Sequence, residues 1–130
     1  MVCLPFSYLL RCKTSKPKYS CSVAYLRGVW EDEQNIHIVM EYCQGGELYH
    51  GVGRQPYTEE TVSTYMRSVL QTISQCHSHR ILHRDIKPGN FLLLTKDKYS
   101  PLKAIDFGLA AFYEPQKLPR TDLGLDGTPW

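Results

Sequence analysis

Asp85, Lys87 and Asn90 lie at offsets of two and five in the run Ile81-Leu82-His83-Arg84-Asp85-Ile86-Lys87-Pro88-Gly89-Asn90, and a further acid follows in Asp106-Phe107-Gly108. These residue types match what phosphoryl transfer to a hydroxyl demands: an acceptor for the hydroxyl proton, positive charge near the moving phosphoryl group, and metal bridging the phosphate oxygens. Asp85 can orient the hydroxyl and accept its proton, and Lys87 can neutralise charge developing on a γ-phosphate. Asn90 and Asp106 offer hard oxygen ligands suited to Mg²⁺. For a lone loop Asp, a turn or cap is the commoner role. The spacing argues against that role here, because H-R-D-x-K-x-x-N fixes five positions and arises by chance roughly once per few million windows.

Such a loop needs rigid elements on either side. The pattern predicts a helix over about 59–79, where Val62, Tyr65, Met66, Val69, Leu70, Ile73 and Cys76 recur at three- and four-residue steps. That apolar face is expected to be core. Thr58 is the predicted N-cap, Glu59 and Glu60 suit the first turn, and His77, His79 and Arg80 suit the opposite end of the helix dipole. Upstream, Val23, Tyr25 and 26–30, then 36–40, read as β-strands, with the polar stretch 31–35 as a hairpin turn. Gln44-Gly45-Gly46 is expected to end the second strand, with a short helix starting near Glu47. Two short strands are predicted near 91–94 and 102–105, around the polar turn 95–100. There are no internal repeats and no low-complexity tracts.

With both loops in this order, the sequence resembles the eukaryotic protein kinase family from about Tyr25 to Trp130. Lys87, two residues after the Asp, is the serine/threonine form. His79-Arg80-Ile81-Leu82-His83-Arg84-Asp85-Ile86-Lys87-Pro88, with Gly45-Gly46-Glu47-Leu48 upstream, looks most like the calcium/calmodulin-dependent and calcium-dependent kinase group. The resemblance implies an α+β, two-lobed protein-kinase-like fold in incomplete form: a small-lobe hairpin, the hinge and the first half of the helical large lobe. It implies a serine/threonine protein kinase that uses ATP and Mg²⁺ and acts on a protein or peptide hydroxyl.

The same resemblance assigns roles residue by residue. Met40 falls at the gatekeeper position behind the adenine. Glu41, Tyr42 and Cys43 fall on the hinge, where backbone groups of Glu41 and Cys43 would bond the base. Glu47 matches an acid that contacts ribose or a basic substrate residue, and Leu92 would pack beneath the adenine. Leu26, His83 and Phe107 line up as core spine residues, and Arg84 would tether the segment that begins at Asp106. Asp85 and Lys87 become the catalytic pair, Asn90 and Asp106 the metal ligands. Thr128 matches a hydroxyl that contacts the catalytic Asp and Lys.

Departures from the family pattern set the remaining expectations. No Gly precedes Gly28 and no acid precedes Glu31, so neither a Gly-rich phosphate loop nor a helix-C Glu lies upstream of the hairpin. Lys13, Lys16 and Lys18 sit in no V-A-I-K-like strand, and the chain ends at Trp130 before an Ala-Pro-Glu motif. Residues 1–22 therefore read as an atypical N-terminal segment, expected to be disordered, and 23–130 as a partial kinase domain expected to be inactive alone. The alternatives are a non-catalytic kinase-like binding or regulatory module, and a longer protein in which residues 1–22 are misread.

Composition bounds the rest. The 130 residues are 42% hydrophobic with a net charge of +2, which suits a globular chain. The charge is uneven: residues 1–30 carry five basic and no acidic side chains, and residues 31–130 carry ten basic and thirteen acidic ones. No apolar run approaches the roughly 18 residues of a membrane helix. The N-terminal apolar run precedes its basic residues, the reverse of a signal peptide. Five Cys with no C-x-x-C pair read as reduced thiols, so a cytoplasmic location is expected, with no nucleic-acid partner. Gly51-Val52-Gly53 reads as a turn rather than a phosphate loop. Asp122-Leu123-Gly124-Leu125-Asp126-Gly127 is a poor calcium loop, because Gly124 offers no ligand side chain. The spacing of Cys76, His77, His79 and His83 is unorthodox for zinc.

Overall fold

The computed structural model describes residues 22–48, 57–97, 99–117 and 127–128. Expectations for residues 1–21, 51–53 and 122–126 lie outside the described residues. Two strands, β1 (Leu26–Glu31) and β2 (Ile36–Met40), form the expected antiparallel hairpin, with Val29 opposite Ile38 and Trp30 opposite His37. Its turn is closed by Asp32, whose Oδ1 accepts the N–H groups of Gln34 and Asn35 at 2.8 Å each. This is the local side-chain-to-backbone bonding that favours Asp in turns.

The chain then leaves the hairpin and enters a second sheet. β3 (Gly46–Glu47) pairs with β5 (Phe91–Leu93), which pairs in turn with β6 (Leu102–Ala104), all antiparallel. Glu47 ends this two-residue strand and Leu48 after it is helical, so the helix expected near Glu47 begins just past a short strand that the sequence did not signal. Gly45 shows why: its N–H donates to the Leu93 carbonyl, and a Cβ there would lie 2.1 Å from the Thr95 carbonyl oxygen. Only a residue with no side chain lets the backbone run that close to β5.

Helix α1 (Glu59–Ser78) matches its predicted span, capped by Thr58, whose side chain accepts from the Thr61 N–H. Its buried residues are Thr61, Tyr65, Thr72 and Cys76, whereas Val62, Met66 and Leu70 are exposed. The apolar face is thus only partly core, and the packed stripe is rotated toward threonines. Thr72 tolerates burial because its hydroxyl donates back to the Ser68 carbonyl at 2.9 Å, and the Thr61 hydroxyl bonds that of Thr58 at 2.9 Å.

Beyond the helix, β4 (Ile81–Leu82) pairs with β7 (Ala111–Phe112), and a 3-10 turn at Pro88–Asn90 leads directly into β5. The core gathers Val23, Leu26, Tyr65, Cys76, Ile81, Phe91, Leu93, Leu102, Ala104, Phe107 and Ala110 between the helix and the sheets. Fully burying side chains such as Leu26, Ile81 and Phe91 contributes about 1.5–3 kcal/mol each. Residues 22–24 join the same core through β6. Val23 and Ala104 form a parallel bridge, the Ala104 N–H donates to Ser22 O at 2.7 Å, and the Ala24 N–H donates to Ala104 O at 3.0 Å. Among the described residues no helix is long and apolar enough to cross a membrane.

Candidate active site

The loop after β4 is built around a buried histidine. His83 is 5% exposed, and both of its ring nitrogens are used in complementary senses. Its Nδ1 accepts the Asp85 N–H at 3.3 Å, and its Nε2 lies 3.3 Å from the Ile105 carbonyl, to which it donates in the neutral tautomer. Its ring packs on Phe107 with centroids 4.6 Å apart. Burial pushes the imidazole below its ordinary pKa. A neutral His83 thus ties the Asp85 loop to the strand that leads into Asp106-Phe107-Gly108.

The Asp85 carboxylate meets four donors. Its Oδ2 accepts from Asn90 Nδ2 at 2.9 Å and forms an ion pair with Lys87 Nζ at 2.8 Å. Its Oδ1 accepts from the Thr128 N–H at 3.1 Å and the Thr128 hydroxyl at 2.7 Å. Lys87 Nζ closes the ring by donating to the Thr128 hydroxyl oxygen at 2.6 Å. Lys87, and after it Thr128, hold the Asp85 carboxyl well below the usual carboxylate range. Gly127 makes this approach possible: a Cβ there would sit 3.1 Å from the Arg84 carbonyl oxygen, and its φ is +136°. Arg84, at φ +70°, turns the backbone just before Asp85, while its guanidinium donates to the Leu109 carbonyl at 3.4 Å.

Asn90 faces two ways. Its Nδ2 is committed to Asp85, with a second bond to the Asp85 carbonyl at 2.8 Å, which leaves Oδ1 without a donor among the described residues. Its backbone carbonyl accepts the Ile105 N–H at 2.9 Å, so the residue before Asp106 is fastened to Asn90. Asp106 is exposed in the left-handed region, at φ +56°, with Oδ1 accepting the Gly108 N–H at 3.1 Å. Among the described residues no group of three or more His, Cys, Asp or Glu side chains is placed to hold a metal unaided. The donors that remain, an amide oxygen and a carboxylate, fit Mg²⁺, which takes few protein oxygens and completes its shell with water and phosphate.

The other expected residues lie at the end of β2, in the stretch after it and on the β3–β5–β6 sheet. Met40 ends β2 and packs against the core, and Cys43 is buried. The Glu41 N–H donates to Tyr25 O at 2.7 Å, while the Cys43 N–H has no acceptor among the described residues. Glu47, Leu92 and Lys103 are successive cross-strand neighbours in β3, β5 and β6, so they share one sheet face. The alternate residues Phe91, Leu93, Leu102 and Ala104 form the core face. Of the expected site residues, Asp85, Lys87, Asn90 and Thr128 form one bonded cluster, and Asp106 is tied to it indirectly, through Ile105, which bonds Asn90 and His83. Lys103 was missed by sequence reasoning. It is 6% exposed, and its Nζ lies 3.1 Å from Glu41 Oε2. The available signal was a lysine inside the apolar strand Leu102-Lys103-Ala104, three residues before Asp106.

Comparison with known proteins identifies the family of the chain. The family model described as "Protein kinase domain" matches residues 12–130. Calcium-dependent protein kinase 34 of Arabidopsis thaliana is 44% identical over 104 residues, covering 79% of this chain and 20% of that protein. Calcium-dependent protein kinase 8 of Oryza sativa subsp. japonica is 47% identical over 95 residues, 72% of this chain and 18% of its own length. Calcium-dependent protein kinase 10 of Arabidopsis thaliana is 46% identical over 95 residues, 72% and 17% respectively. The chain spans about a fifth of the length of these relatives.

Proposed function

This chain belongs to the protein kinase family, and from that premise we propose that its cleft serves a serine/threonine protein kinase, directing the γ-phosphoryl group of ATP to a protein hydroxyl. The observation that carries the reading is the Asp85 cluster. One carboxylate oxygen meets an ammonium and an amide at 2.8–2.9 Å, and Thr128 is seated on the other. Asp85 stays ionised through the neutral range, so its main work is to orient a hydroxyl and take its proton late, once the oxygen has begun to bond phosphorus. Its oxygens already accept four donors, so an incoming hydroxyl must replace one of them. Lys87, half-buried beside that oxygen, supplies positive charge where the transferring group passes. Asn90 Oδ1 and the Asp106 carboxylate would hold Mg²⁺, which would supply positive charge to offset the negative charge of the phosphates. The Cys43 N–H, without an acceptor among the described residues, and the Glu41 carbonyl, next to Met40, suit the edge of an adenine. Leu92 on the sheet face suits its underside, and Glu47 on the same row suits a ribose or a basic substrate residue.

Substrates of the serine/threonine class follow from Lys87 as the resemblance reads it, and calcium dependence belongs by name to the relatives. The 130 residues hold no Gly-rich loop or strand Lys that fits the family pattern, so the polypeptide by itself is expected to bind nucleotide without measurable transfer. The test is titration of the 130-residue chain with a fluorescent ATP analogue, with and without Mg²⁺. We expect Mg²⁺-dependent binding that Asp106→Ala and Asn90→Ala each weaken and that Asp85→Ala largely spares. Absence of Mg²⁺-dependent binding would turn the reading to a non-catalytic module. Transfer to a Ser/Thr peptide that Asp85→Ala abolishes would instead show the chain active alone.

A further inference from the structure

A lysine ammonium is unfavourable inside a protein unless it is paired and hydrogen-bonded. Lys103 nevertheless sits 6% exposed between Leu102 and Ala104, at 4% and 0%. Its Nζ is 3.1 Å from Glu41 Oε2, and that same oxygen accepts the Tyr25 N–H at 3.2 Å. The backbone of Glu41 is fixed as well, its N–H donating to Tyr25 O at 2.7 Å. Glu41 is therefore held at three points: twice to the chain entering β1, and once to β6. Lys103 is also the far end of the Glu47–Leu92–Lys103 row, on the sheet face opposite Phe91, Leu93, Leu102 and Ala104. Three residues later the same strand delivers Asp106.

From this arrangement we infer that Lys103 is a positioning residue for the nucleotide. Through its ion pair with Glu41, it sets the hinge backbone that meets the base against the strand that carries Asp106. The two ends of a nucleotide, base and phosphates, are then gauged by one side-chain bridge instead of by two independent loops. The inference rests on reading the cleft as a nucleotide site, but its structural half can be judged separately.

The experiment compares the 130-residue chain with Lys103→Met, Lys103→Arg, Glu41→Gln and the Lys103→Met/Glu41→Gln double variant. Amide hydrogen exchange and titration with Mg²⁺ and a fluorescent ATP analogue are the two readouts. Lys103→Met is expected to speed exchange at the Glu41 amide and across 106–108 by about tenfold, while the α1 amides of residues 65–76 keep their rates. Nucleotide binding should weaken by about tenfold, Lys103→Arg should restore most of it, and the double variant should lose less than the two single changes combined. Equal acceleration in α1 and the hinge would overturn the inference, since that is what a stability role alone produces. Unchanged exchange everywhere, or undiminished binding by Lys103→Met, would overturn it too. If the parent chain binds no nucleotide, the nucleotide reading falls, and the contrast between hinge and α1 still decides whether Lys103 positions the hinge. Should Lys103→Met fail to fold, Glu41→Gln decides by the same criteria, because it keeps the size and the acceptor for the Tyr25 N–H.

Discussion

The β1–β2 hairpin and the Asp85 loop invert each other's composition and environment. In the hairpin, apolar Val29, Trp30, Ile36 and Ile38 are all 40% exposed or more. In and around the loop, polar His83, Asp85, Asn90 and Lys103 are all 8% exposed or less. Their sources of order differ as well. The hairpin is held by its own ladder and a turn in which Asp32 also meets His37 at 2.6 Å, with the His37 ring stacked on Trp30. The loop is held by partners from far along the chain: Ile105 for His83, Thr128 for Asp85, and Ile105 again for Asn90. Burying those polar groups is tolerable because each one found a partner. A self-contained hairpin can lose a side chain cheaply, whereas the loop depends on every element that feeds it.

That contrast can be broken most directly at the largest expected effect. Phe91→Ala, emptying a site 1% exposed beneath the loop, should cost about 3–5 kcal/mol in urea unfolding followed by circular dichroism, whereas Ile38→Ala should cost less than about 1. Similar costs for the two would erase the distinction. Next in size, Asn90→Ala removes two bonds to Asp85 and leaves its buried main-chain carbonyl without the amide donor, an expected loss of about 1–3 kcal/mol.

A pH series tests the neutral His83. Its pKa is lowered on folding, so between the folded value and the unfolded value of about 6.5 the unfolded chain binds the extra proton and the folded chain does not. Stability is therefore full above that window and falls as pH falls through it. The melting temperature should drop from pH 7.5 to 5.5, and His83→Phe should flatten the dependence. Asp85 and Asp32, whose pKa values are also lowered, contribute stability that is lost only as pH falls below about 4, so they do not mimic this. The smallest effect is expected at the hairpin surface. Ile36→Ser should shift stability by no more than about 0.5 kcal/mol and lower self-association in sedimentation.

The two regions were also unequally legible. The Asp85–Asn90 and Asp106–Gly108 loops, the α1 span with its Thr58 cap, and the β1–β2 hairpin could all be read because their signals are local in sequence. The inner face of α1 could not. Periodicity gives an apolar sector, but it does not say which part of that sector meets β4 and β6, and threonines that satisfy their own hydroxyls compete for the contact. The helical start near Glu47 was legible, at Leu48, but the short strand before it was not, because it depends on the close passage of Gly45 against Leu93 and Thr95, nearly fifty residues away. The Lys103–Glu41 bridge spans sixty-odd residues and carries no spacing signature. The Thr128 contact with Asp85 came only from family resemblance.

Ser22 to Ala24 lie against β6 as a parallel partner, and this pairing sets a timetable for folding. Some eighty residues separate Val23 from Ala104, so a ribosome adding ~5–20 residues per second releases the second partner roughly 4–16 s after the first. The hairpin can close within microseconds of emerging. The strand that presents Asp106 must wait for the newest residues, and the oldest must stay available to receive it. Until then the edge meant for Ala104 is open, and any neighbouring nascent chain with a free strand can compete for it.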